Sequence, residues 1–182
     1  MEKLPQYLIH ENTVCLIEDY DENGNKEAKV IDGDDQLVVV QPPLKIIHFT
    51  LQKMGFSLRG AIDGSRYLLG KEQYMLPLTI NSALGIYLIP TKAYGRHDCC
   101  WLSLMHILDI EPLDTHLTRV HMSYGHTIDL DMKANMFIQR LHKARKLREA
   151  VTRNTKSPLT FYLPPKAGYK IIEGDGEYFL KK

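Results

Sequence analysis

The chain lacks the features that define secreted, membrane and metal-cluster proteins. Only three of its 182 residues are cysteine (Cys15, Cys99 and Cys100), and two of these are adjacent, so no disulfide framework is indicated. No apolar run approaches the ~20 residues that a helix needs to cross a bilayer. The N-terminus has neither the basic start nor the apolar stretch of a secretory signal. We therefore expect a cytoplasmic protein with reduced thiols and no membrane partner.

Catalytic and metal-binding motifs are also missing. The sequence has no G-x-S-x-G elbow, no H-E-x-x-H pair, no Walker loop and no C-x-x-C pair. Ligand-type residues cluster at His97, Cys99, Cys100, His106 and Asp109, but adjacent residues of a strand point to opposite faces, so the two cysteines cannot easily share one ion. We expect no enzymatic activity, no cofactor and no metal. The alternative is a small metal-dependent enzyme that uses His97, Cys99 and His106.

Charge is distributed unevenly, although the formal net charge is only +1. Residues 11–35 contain nine acids and two lysines. Residues 133–156, by contrast, contain eight Lys or Arg residues and a single acid, Glu149. Such asymmetry between the two parts of a chain is a hint of contact with nucleic acid or another anionic partner.

The basic segment has the spacing of a helix with one apolar face. Its apolar residues recur at intervals of four, three, three and four: Phe137, Leu141, Ala144, Leu147 and Val151. We predict a long basic amphipathic helix over about 133–153, ended by Asn154 and then Pro158. A helix that is apolar on one side and cationic on the other has both a core to pack on and an anion to meet.

The cations of this helix fall into two groups on a helical wheel. Three of them, Lys143, Lys146 and Arg153, lie opposite the apolar stripe, with Arg145 nearer its border. Phosphate contact there needs only positive charge at groove spacing. Arg140 and Arg148 fall within the stripe, where they either pair with the acidic N-terminal region or reach the surface along packed stems. A solvated face without a ligand is the alternative for the first group.

The chain as a whole predicts an α+β fold, mostly antiparallel sheet with two main helices. Strands at 13–17 and 28–31 flank Asn23-Gly24, a strong hairpin-turn pair. Helical spacing at 44–54 follows two prolines. Further strands are predicted at 37–40, 85–90, 100–110, 116–122 and 127–130. We divide the chain into one domain, residues 1–158, and a C-terminal tail, residues 159–182.

Residues 55–70 are predicted to be a connecting loop, because four glycines punctuate them. Arg59 and Arg66 lie among these glycines. Glycine lets a backbone approach its partner closely, and a loop arginine can enter the narrow minor groove of A·T-rich DNA. An ordinary surface loop is the alternative.

A series of short motifs runs through these elements. Gly85-Ile-Tyr-Leu-Ile-Pro-Thr91 is followed by Cys99-Cys-Trp-Leu-Ser103 and His106. Further matching positions before and after them are Gly55, Gly60, Gly64, Gly125, Thr127, Leu130, Asn135, Phe137, Leu147 and Arg148, and the tail segment 161–166. In order and spacing, the series resembles the ComK competence transcription factor family of Gram-positive bacteria. The chain departs from that pattern at Ala61 and Ile62, where the family commonly has Arg-Lys, and at Cys100, where it has glycine.

The resemblance implies a transcriptional activator of DNA-uptake genes that binds A·T-rich boxes, largely through the minor groove, as dimers on paired sites. It also implies that the tail recruits an adaptor of a Clp-type protease. We therefore expect a nucleoid-associated protein with double-stranded DNA as partner. The expected DNA contacts are Arg59, Arg66, Arg96, Arg140, Lys143, Arg145, Lys146 and Arg148. The expected adaptor-binding residues are Phe161, Tyr162, Leu163, Pro164, Pro165 and Lys166.

Two other functions are open at this point. One is a protein–protein interaction module, in which the basic helix meets an acidic partner or the acidic N-terminal hairpin of its own chain. The other is a general nucleic-acid binder without an activator role. Salt-dependent preference for an A·T-rich duplex distinguishes the activator from both.

Overall fold

The computed structural model describes residues 3–71, 74–155, 170–174 and 177–181. Within these residues the protein is α+β with a mostly antiparallel sheet, as predicted. The helices are α1 (Pro43–Lys53), α2 (Leu58–Leu69) and α3 (Ala134–Thr155). The strands are β1 (Lys3–Leu4), β2 (Thr13–Tyr20), β3 (Lys26–Asp32), β4 (Asp35–Val39), β5 (Leu78–Asn81), β6 (Ile86–Pro90), β7 (Cys100–Ser103), β8 (Ile107–Pro112), β9 (Leu117–Met122), β10 (Thr127–Asp131), β11 (Lys170–Gly174) and β12 (Glu177–Lys181).

A seven-stranded sheet forms the centre of the fold, in the order β1-β4-β3-β2-β7-β6-β5. Only the β1–β4 pair is parallel. The predicted hairpin is confirmed: β2 pairs with β3, and Gly24 adopts φ +78° in the turn between them. Asp21 fixes this turn, because its Oδ1 accepts from the backbone N–H groups of Asn23 and Asn25 at 2.9 and 2.8 Å.

Each face of the central sheet carries its own core. On one face, Ile46, Ile47 and Leu51 of α1 pack with Leu16 and Trp101 of the sheet. On the other face lie α3 and a smaller antiparallel sheet of order β10-β9-β8. Burial of each large side chain in these cores stabilises the fold by roughly 1.5–3 kcal/mol. The second core therefore holds α3 against the central sheet.

The prediction of a connecting loop at residues 55–70 is wrong, because residues Leu58–Leu69 form α2. The described residues therefore contain three main helices, where two were predicted. Ser57 caps the new helix: its Oγ accepts from the backbone N–H of Gly60 at 2.9 Å. Leu58 and Ile62 pack against the first core, which offsets the ~1 kcal/mol that each interior glycine costs a helix.

The position of α2 explains why it forms. It lies along β5, the last strand of the central sheet, and Ser65 Oγ donates to the carbonyl oxygen of Pro77 at 2.7 Å. Leu68 and Leu69 at its far end reach the second core, the one that holds α3. The helix thus covers β5 at the edge of the central sheet, and it contacts both cores. Neither contact can be predicted from local sequence spacing.

Candidate nucleic-acid interface

The long helix α3 supplies most of the predicted contact residues. It buries Phe137, Leu141, Ala144 and Leu147 against the sheet, and these are four of the five residues of the predicted apolar stripe. The fifth, Val151, is half-buried and packs on the same core. Packing of this stripe determines which cations of the helix reach solvent.

Four α3 cations are exposed: Arg145, Lys146, Arg148 and Arg153. We call them the α3 cationic face. None of them takes part in an ion pair among the residues that the structure describes. Arg148 reaches solvent although the helical wheel places it in the stripe, which was one of its two predicted orientations. Lys143 is half-buried at the border of the face.

Arg140 takes neither of its predicted orientations. Its Nη1 donates to the backbone carbonyl oxygens of Pro90, at 3.2 Å, and of Thr91, where β6 ends. The guanidinium is half-buried, and burial lowers the pKa of Arg140. Within the described part of the chain it has no carboxylate partner.

Three acids of the N-terminal hairpin form ion pairs with lysines of β1 and β3. Lys26 Nζ lies 2.7 Å from Glu18 Oε1 across β2 and β3, and Lys29 and Lys3 pair with Asp19 and Glu27. Among the ion pairs of residues 3–71 and 74–155, none joins this hairpin to α3. The described geometry therefore gives no support to pairing of the basic helix with the hairpin of its own chain.

Arg59 and Arg66 lie on a helix and share one acid. Asp63 is 2.9 Å from Arg66 Nη1 and 3.8 Å from Arg59 Nε, at i+3 and i+4 spacing. The Arg59 side chain is 93% exposed, and its contact with Asp63 exceeds hydrogen-bond length. Arg59 is thus the more available of the two for an external partner.

Arg96 lies in the loop between β6 and β7 and is held in place by Asp98. Its Nε and Nη2 donate to the two carboxylate oxygens at 2.8 and 3.0 Å, a bidentate arrangement. Lys92 pairs with the same carboxylate. These hydrogen bonds hold the pKa of Asp98 well below its usual range. Sequence reasoning missed Lys92, which lies four residues before Arg96.

The residues of the alternative metal site, which was not the expected one, are dispersed in the fold. Cys99, the residue before β7, packs in the first core, and Cys100, the first residue of β7, packs in the second core on the opposite face of the sheet. His106 Nε2 donates to the carbonyl oxygen of Glu11 at 2.7 Å. Within the described ranges, no three His, Cys, Asp or Glu side chains are grouped as a metal site requires.

The predicted adaptor-binding residues, Phe161 to Lys166, lie outside the described residues. None of the described helices combines the length and the apolar character needed to span a membrane.

Comparison with known proteins agrees with the resemblance seen in the motifs. The model of the ComK protein family matches residues 4–156. The chain belongs to this family. A relative from Bacillus subtilis (strain 168), the competence transcription factor, is 26% identical over 145 residues, which cover 80% of this chain and 74% of the relative. No solved structure matches the chain.

The family match spans all three helices and the central sheet, but its limit at residue 156 falls before the predicted adaptor segment. The ComK-family part of the chain therefore includes every predicted DNA contact. These contacts do not all lie on one element: five belong to α3, two to α2 and one to the β6–β7 loop.

Proposed function

We propose that this ComK-family protein is a transcriptional activator of competence genes that binds A·T-rich boxes, largely through the minor groove. Family membership supports a regulator of competence, since the Bacillus subtilis relative is named a competence transcription factor. The observation that carries DNA binding is the α3 cationic face. Four exposed cations on one helix, none paired with an acid in the described part of the chain, are available to DNA phosphates.

We assign binding affinity to the cations of α3 and sequence preference to Arg59 of α2. Cations of α3 that neutralise phosphates release counterions and give affinity that is independent of sequence. Arg59 is the strongest candidate for the minor groove, because its side chain is 93% exposed and only loosely held by Asp63. A narrow A·T-rich minor groove attracts an inserted arginine.

Two partners of this activator are proposals that rest on the family resemblance. We propose dimers on paired sites, which sedimentation of the protein with one-box and two-box duplexes tests directly. We also propose that segment 161–166 binds the adaptor of a Clp-type protease. A pull-down that compares the full chain with a Phe161→Ala variant tests this second proposal.

Fluorescence anisotropy with an A·T-box duplex and a G·C-rich duplex of equal length, each at several salt concentrations, tests the function. We expect tighter binding to the A·T duplex, with log K falling by about 0.9 per log salt for each phosphate contact. Equal, weak binding to both duplexes would contradict recognition of A·T boxes. Affinity that ignores salt would rule out the α3 cationic face as the contact surface.

A further inference from the structure

Three cations from two distant parts of the chain line one shallow pocket. Lys92 and Arg96 come from the β6–β7 loop, and Arg140 comes from the first half of α3. Met75 and Ala93 complete the wall of a cavity of about 290 Å³. This pocket is separate from the α3 cationic face, because none of the four residues of that face lines it.

Among the residues that the structure describes, no carboxylate pairs with Arg140 in this pocket. Its guanidinium is half-buried and hydrogen-bonded to the carbonyls of Pro90 and Thr91 through one nitrogen, Nη1. A guanidinium has five N–H donors, so others are left for a ligand. A cation withdrawn from water without a counter-charge is costly, and an anion in the pocket would offset that cost.

The remaining wall of the pocket is organised by Asp98. Its carboxylate binds Arg96 in a bidentate manner and also Lys92, which holds both side chains beside the cavity. Of the described residues, three cations and one carboxylate give a formal charge of +2 around the pocket. The pocket therefore has a positive charge that suits one anion, and two of its cations are already held in place by Asp98.

We propose that this pocket, which we call the Arg140 pocket, binds one phosphate group of the DNA backbone. Guanidinium groups match phosphate oxygens in a bidentate arrangement, and two of the three cations here are arginines. We assign the anion to the DNA backbone because the α3 cationic face, the proposed phosphate contact, lies on the same helix as Arg140. The inference rests on the proposed DNA-binding function and adds a specific phosphate contact to it.

A matched pair of arginines in the same protein provides the test. Arg96 and Arg119 each make a bidentate ion pair with one aspartate, Nε to Oδ1 at 2.8 Å in both cases. Arg119 and its partner Asp129 lie on the three-stranded sheet and do not line the pocket. We compare Arg96→Ala with Arg119→Ala by anisotropy on the A·T-box duplex over a range of salt, with circular dichroism as the check on folding.

We expect Arg96→Ala to reduce the salt slope by up to about 0.9 and to weaken binding by up to roughly tenfold near 0.1 M salt, the limit set by the loss of one phosphate contact. Arg119→Ala should change affinity less than about twofold. Asp98→Asn keeps an amide oxygen that can accept from Arg96 or Lys92 but removes the negative charge beside the pocket, so it should tighten binding more than Asp129→Asn does. This second pair of variants gives the opposite sign with the same logic.

If the unchanged protein binds DNA tightly and the two arginine variants weaken binding equally, the proposal that the pocket binds phosphate is wrong. The proposed function would still stand. Absence of DNA binding by the unchanged protein would overturn both. Inorganic phosphate is the control for the source of the anion, tested by its effect on thermal unfolding. Stabilisation by inorganic phosphate, combined with unchanged DNA affinity in Arg96→Ala, would also overturn the assignment to the DNA backbone.

Discussion

Arg140 donates from Nη1 to the carbonyl oxygen of Thr91, which lies 49 residues earlier in the chain. The neighbouring carbonyl of Pro90 accepts from the same nitrogen at 3.2 Å. One arginine therefore ties the first half of α3 to the end of β6 and brings its positive charge to the pocket lined by Lys92 and Arg96. The fold and the proposed DNA contact share this residue.

Replacement of Arg140 should lower stability as well as DNA affinity. In Arg140→Ala the two carbonyls lose their donor, and an unsatisfied buried acceptor costs about 1–3 kcal/mol. Urea unfolding followed by circular dichroism measures the change in free energy. Arg145→Ala is the control, because Arg145 is exposed on the same helix and its loss should cost less than about 0.5 kcal/mol. Equal stability of the two variants would show that the carbonyl contacts do not matter.

The helical state of residues 58–69 predicts opposite behaviour for two glycines. A Cβ added at Gly64 would have no atom within 4 Å, and Gly64 has no positive φ, so Gly64→Ala should stabilise the protein by about 0.4–1 kcal/mol. A Cβ at Gly60 would lie 3.1 Å from Ser57 Oγ and crowd the N-cap, so Gly60→Ala should gain less or nothing. Thermal unfolding of both variants measures this difference. A loss of stability in Gly64→Ala would contradict a regular helix here.

The elements that sequence spacing predicted are those with strong local signals. The Asn23-Gly24 turn and the apolar stripe of α3 depend on residues a few positions apart, and both are confirmed. The helix α2 was missed because Gly60 and Gly64 weaken its local propensity, while the contacts that stabilise it come from β5 and from both cores. Only tertiary structure could reveal these contacts.

The residues of the candidate site also differ in whether the sequence alone could predict their positions. Exposed cations such as Lys146 could be predicted, because the stripe fixes which side of α3 faces water. The role of Arg140 could not, since its acceptors lie 49 and 50 residues away in sequence. The helical wheel placed Arg140 correctly in the stripe but could not show that backbone carbonyls lie there. Long-range hydrogen bonds of this kind leave no periodic signal.

The ion pairs of Asp98 predict a dependence of stability on pH. Hydrogen bonds from Arg96 and Lys92 depress the pKa of Asp98 below its ordinary value of 3.8. Because its pKa is lower in the folded than in the unfolded protein, ionised Asp98 stabilises the folded state at pH values above the ordinary carboxyl pKa. This contribution is lost as the pH falls through the pKa that Asp98 has in the folded protein. The stability difference between the unchanged protein and Asp98→Asn should therefore be largest near neutral pH and shrink below about pH 4. A difference that is constant down to strongly acidic pH would contradict the assignment.

The α3 cationic face predicts which charge removals affect DNA binding. A double variant, Arg145→Ala with Lys146→Ala, removes two exposed cations that have no acidic partner in the described part of the chain. Its salt slope should fall by about 1.8, on duplexes of any sequence, since each phosphate contact contributes about 0.9.

The matched control removes the same net charge elsewhere, as Lys26→Ala with Lys29→Ala. Both lysines lie on β3 and are paired with acids of the β2–β3 hairpin, so their removal takes no cation from the α3 cationic face. This control should keep the slope of the unchanged protein. If both double variants lowered the slope equally, net charge alone would explain binding, and α3 would have no special place at the interface. If only the α3 variant lowers it, the long helix lies against the DNA backbone.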